Sequence, residues 1–110
     1  MRDFLKEKDI PMILVFIPNG HQINTNEWQA GRIIMKLTDD VYPARLNEAL
    51  KEFASQNEIP FLDPTDGLRA YLKDHQPSLY YKYDGHLTPL GHQITSQLIF
   101  EFLTENELIK

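Results

Sequence analysis

The stretch "PMILVFIPNG" at residues 11–20 decides the fold. Met12 to Ile17 form a continuous apolar run closed at both ends by proline. Such a run reads as a strand buried on both faces, the habit of parallel sheets covered by helices. "NGHQINTNEWQAG" follows; rich in Asn and Gly, it reads as a loop at the carboxyl end of that strand. No Gly-rich phosphate cradle follows the strand, which argues against a nucleotide binder.

Upstream, "RDFLKEKDI" forms a short helix packing Phe4 and Leu5. Downstream, Ile33, Ile34 and Leu37 in "RIIMKLTDD" suit another. "YPARLNEALKEFASQN" has Pro43 near its first turn and an apolar stripe at Leu46, Ala49, Leu50, Phe53 and Ala54, which predicts a longer helix. "EIPFLDPT" gives a second strand, Ile59 to Leu62. Asp63 at its end is expected to cap or turn the chain, and Thr65 or Asp66 to cap a helix over "DGLRAYLKDH". Thr88 and Pro89 supply an N-cap and a first helical position for the last helix. That helix is expected to bury Leu90, Ile94, Leu98, Ile99, Phe102 and Leu103.

Strands alternating with crossover helices imply an α/β fold with a parallel sheet and helices on both faces. Residues 1–110 read as a single segment without repeats or linkers. Two strands, however, cannot cover both edges and both faces of "MILVFI". The expected architecture is therefore a partial three-layer α/β/α, flavodoxin-like sheet: about two strands plus flanking helices. Its completion would come from an N-terminal half outside this chain or from self-association.

Composition narrows the function classes. The formal net charge is −5 and the basic residues are scattered, which disfavours a nucleic-acid surface. There is no cysteine, so thiolate catalysis and disulfides are excluded. The apolar run is far shorter than the roughly 20 residues of a membrane span, and no leader is visible at the amino end. No cofactor is called for.

The chemistry-bearing segment is "YYKYDGHLTPLGHQ" at residues 80–93. Residues two apart in an extended or turn segment share a side, so Asp84 and His86 can face one cleft. A carboxylate there accepts the imidazole Nδ1–H, fixes the tautomer and leaves Nε2 as a base. On spacing alone an ordinary polar turn is the commoner reading, because two-residue motifs recur by chance. Asp84, His86 and His92 are also zinc-ligand types; the helix would carry His92 away, so no metal is expected. His21 and His75 sit in polar segments and are expected to be solvated. Tyr83, Gln22 and Trp28 are candidates for lining the same cleft.

"LYYKYDGHLTPLGHQITSQLIFEFL" closely resembles the carboxyl-terminal signature of the SGNH, or GDSL-like, hydrolases. In one branch of that family an Asp-x-His and a following "GH" open the final helix. "PMILVFIPNGHQI" is similar to the family's fourth strand and its loop, and "YPARLNEALKEFASQNEIPFLDPTDGLR" to the helix and fifth strand. The resemblance implies His86 as general base, Asp84 as its carboxylate partner, and a small ester or O-acylated substrate. It also implies a bacterial exported or envelope-associated setting.

The family's Gly-Asp-Ser nucleophile motif and its Gly and Asn oxyanion donors are not in these 110 residues. Asn19 follows the wrong strand to serve. The three serines, Ser55, Ser78 and Ser96, lack any local sign of activation. The expectation is thus the carboxyl-terminal portion of a serine ester hydrolase, inactive alone. The alternative from a different class is a non-catalytic α/β interaction module associating through an open sheet edge.

Overall fold

A computed structural model describes residues 1–38 and 45–109. The elements run α1 (Arg2–Glu7), β1 (Leu14–Val15), α2 (Gly20–Ile23), α3 (Gln29–Ile34), α4 (Arg45–Gln56), β2 (Phe61–Leu62), α5 (Thr65–Asp74) and α6 (Pro89–Glu105). β1 and β2 pair in parallel, Leu14 opposite Phe61 and Val15 opposite Leu62. The chain is α/β, with one small parallel sheet and helices, as the alternation of patterns implied.

The apolar run is shorter as a strand, and barer, than its composition suggests. Only Phe16 of Met12 to Ile17 is buried, and Ile17 is 47% exposed. The cause is the absence of neighbours among the described residues. Leu14 and Phe16 donate their N–H groups to Pro60 and Leu62 across the β1–β2 pair, at 2.9 and 3.0 Å. In a parallel ladder the alternate residues point the other way, so Ile13, Val15 and Ile17 turn towards an unpaired margin.

The helices are bare in the same way. The start of α4, including Pro43, lies outside the described residues. Of its predicted stripe only Ala54 is buried; Leu46 and Phe53 are 59% and 53% exposed. The helix turns Asn47 and Ala54 inwards instead. In α6 the predicted apolar residues are half-buried, and only Gly91 and Thr95 are fully covered.

The core lies beside the sheet rather than around it. Ile23, Leu68, Leu79 and Tyr80 form its centre, with Trp28, Tyr71, Leu87, Leu90, Ile94 and Leu98 against it. α2, α5, α6 and the segment before α6 therefore meet over one apolar cluster. The loop expected after β1 in fact carries two short helices, α2 and the start of α3. A polar knot ties them to the rest. Asn47 donates to the Thr65 hydroxyl at 3.1 Å and to the Asp63 carboxylate, while Gln22 donates to Asn47 at 3.4 Å. Asp63 also accepts the Thr65 N–H at 3.0 Å. It caps α5 from the strand side, and Thr65 is the first helical residue rather than the cap.

Candidate active site

Two-residue spacing does locally what the sequence predicted. The Asp84 Oδ1 accepts the His86 backbone N–H at 2.7 Å and contacts the ring Nδ1 of the same residue. Backbone and imidazole donors from His86 hold the Asp84 carboxyl below the usual aspartate range, and the ring's charge adds to this. The pair stands in the open, its side chains 86% exposed for His86 and 56% for Asp84. With Nδ1 facing the carboxylate, Nε2 has no hydrogen-bond partner among the described residues.

The loop carrying the pair is a tight hairpin. Tyr80 and Leu87 form an antiparallel bridge. Tyr81 donates its N–H to the His86 carbonyl at 3.0 Å, and Thr88 to that of Leu79 at 2.8 Å. Thr88 then caps α6, its hydroxyl accepting the Gly91 N–H at 3.1 Å, with Pro89 in the first turn. Gly91 lets α6 press directly on the hairpin, because a Cβ there would lie 2.1 Å from the Leu79 carbonyl oxygen. Tyr80, buried beneath, donates its hydroxyl to the Pro18 carbonyl, three residues past β1. Burial and the charge of Glu27 push the Tyr80 phenol upward, so it stays a donor.

A second segment, residues 24–31, supports the hairpin from below. The Asn24 side chain accepts the N–H groups of Asn26 and Glu27 at 2.8 and 3.0 Å, turning the chain. Trp28 then adopts a left-handed conformation, φ 50°. Glu27 is buried at 2% exposure and accepts the N–H groups of Leu79 and Tyr80 at 3.2 and 2.8 Å. Ala30 donates its N–H to the Lys82 carbonyl at 3.1 Å. The Trp28 indole lies under Gly85, where a Cβ would sit 3.3 Å from Cε2. Gly85 does not take a positive φ, so it is the indole beneath, and not a tight bend, that favours glycine.

Above the hairpin's inner side a cavity of about 420 Å³ opens between the end of β1 and α6. His86, Leu87, Ile17 and Ile99 line it, with His92 and Ser96 from α6. Ser96 donates its hydroxyl to the Gln93 carbonyl at 2.8 Å, and Thr88 donates to the Ser78 carbonyl at 3.1 Å. None of Ser55, Ser78 and Ser96 is hydrogen-bonded to His86.

The other predicted residues separate. Gln22 is buried, its amide oxygen accepting the Asn19 N–H at 2.9 Å and its nitrogen turned to Asn47; it does not line the cavity. Trp28 packs against Gly85 and does not line the cavity. Tyr83 is 79% exposed, with the Lys82 ammonium 5.2 Å above its ring. His75 stacks on Tyr71 at 4.0 Å and is exposed. His21, expected to be solvated, is half-buried on α2, 5.8 Å from the Trp28 ring; burial and then the Arg32 charge lower its pKa.

Sequence reasoning missed Glu27. Its only signal was an acidic residue beside Trp28 in a segment otherwise free of charge. Among the described residues no three His, Cys, Asp or Glu side chains are grouped to hold a metal ion. No described helix is long and apolar enough to cross a membrane. Compared with known proteins, the chain matches no family model, no curated protein and no solved structure.

Proposed function

We propose that this chain carries the general-base half of an SGNH-type serine ester hydrolase acting on an acyl or O-acetyl group. The observation that carries the reading is the contact between the Asp84 carboxylate and Nδ1 of His86, with Nε2 left open at the rim of a cavity. The serine hydroxyl would come from polypeptide outside these residues. His86 Nε2 takes its proton as the oxygen bonds to the ester carbonyl carbon, and Asp84 stabilises the imidazolium. When the carbon–alkoxide bond breaks, Nε2 returns the proton to the departing alcohol.

On this reading β1 and β2 belong to a flavodoxin-like three-layer sheet whose further strands pair along the free side of β1. The half-exposed apolar run and the bare faces of α4 and α6 support that. They equally favour the second reading, a non-catalytic module that associates through the same sheet edge.

Co-expression with the polypeptide encoded immediately upstream separates the two, with p-nitrophenyl acetate turnover as the assay. Turnover should appear and fall by several powers of ten in His86→Ala. Complex formation with no turnover above the His86→Ala background would favour the interaction module and remove the hydrolase.

A further inference from the structure

We infer that Glu27 is a positioning residue for the Asp84–His86 pair, a deepening that rests on the hydrolase reading. A carboxylate 2% exposed is costly to bury unless its oxygens are used. Both are used here, one on the N–H of Leu79 and one on that of Tyr80, at 3.2 and 2.8 Å. These amides open the first strand of the hairpin whose tip bears Asp84 and His86. The Leu79 carbonyl, on the other side of the same residue, accepts the Thr88 N–H and so closes the hairpin's base.

Glu27 is therefore a two-pronged clamp on one end of a ten-residue loop, residues 79–88. The tip is fixed by its neighbours in sequence, since Ala30 holds the Lys82 carbonyl and Trp28 underlies Gly85. Residues 27, 28 and 30 thus meet the loop at base, tip and outer strand. Burial raises the Glu27 pKa while the two amide bonds oppose it, in keeping with a carboxylate retained for its two acceptors. Glutamine offers one acceptor and turns an N–H donor towards the second amide, so the charge-neutral substitution breaks one prong.

The test is Glu27→Gln in the full chain, followed by NMR. The Tyr80 amide should lose roughly tenfold or more of its hydrogen-exchange protection, the scale of one hydrogen bond to a charged acceptor. The Asp84 carboxyl, depressed in the native chain, should titrate closer to the ordinary aspartate value of about 3.9. Ala54→Gly, which weakens α4 away from the hairpin, should lower stability without moving the Asp84 midpoint; a stabilising role alone would make the two variants behave alike.

An unchanged Asp84 midpoint in folded Glu27→Gln overturns the assignment. Should that variant fail to fold, Glu27→Asp keeps the charge on a shorter stem. It should move the Asp84 midpoint in the same direction, and a deprotected Tyr80 amide with no such movement overturns the assignment too. Neither measurement involves ester turnover, so failure here and failure of the hydrolase reading are distinguishable.

Discussion

Replacing Gly91 with alanine asks whether the hairpin is truly braced by α6. In a free helix the change is favourable by up to about 1 kcal/mol. Here the new Cβ would lie 2.1 Å from the Leu79 carbonyl oxygen and 2.9 Å from the Leu87 side chain. The oxygen must retreat by about 0.9 Å to reach even the 3.0 Å limit of real contacts. That oxygen accepts the Thr88 N–H at 2.8 Å and the Thr88 hydroxyl at 3.3 Å. Overpacking of this kind costs about 1–3 kcal/mol, and a lost hydrogen bond adds about 1. Net of the helical gain, destabilisation of about 1–3 kcal/mol is expected. For a chain of this size that lowers Tm by roughly 5–15 °C. Thermal unfolding followed by circular dichroism, with urea titration for the slope, measures it. A Tm equal to or above that of the parent would refute the close approach.

Tyr80→Phe removes the donor to the Pro18 carbonyl and should cost about 1–2 kcal/mol in urea unfolding, with the hairpin loosened from β1. Leu68→Ala empties a fully buried core position and should cost about 2–5 kcal/mol by the same measurement. In the co-expressed assembly Asp84→Asn should reduce ester turnover by roughly 10³- to 10⁴-fold with little change in substrate affinity; an undiminished rate would remove Asp84 from the mechanism. The two carboxylates give opposite pH slopes. Asp84 is depressed, so its contribution is complete above the ordinary aspartate range and is lost as pH falls through its lower folded value. Glu27 is raised, so the folded chain binds its proton more tightly and stability declines as pH rises from the ordinary glutamate range through that higher value. Unfolding free energies at stepped pH should lose the second slope, and flatten the first, in Glu27→Gln.

The legible parts of this chain are those whose cause lies within a few residues. Thr88 and Pro89 announce α6, Asp63 announces its turn, and Asp84 reaches His86 because an Asx side chain bonds two residues ahead. What the sequence hid depends on distant partners. Leu46, Leu50 and Phe53 form a proper helical stripe, yet a stripe records what a helix can bury and not whether a neighbour is there. The Asn-rich segment after β1 reads as loop because α2 and α3 are too short for periodicity to register. Glu27 meets amides more than fifty residues away. The sequence puts Gln22 and Trp28 in the segment after β1, but which way they face is set by Asn47 and by Gly85.

The bond within the pair is local in sequence, yet what holds its geometry comes from elsewhere. Grafting Asp-Gly-His onto a foreign turn would therefore transplant the tripeptide alone. Its aim would stay behind, because the orientation is written in a buried acid from another stretch of the chain. An engineer borrowing this chemistry must move the platform along with the tripeptide.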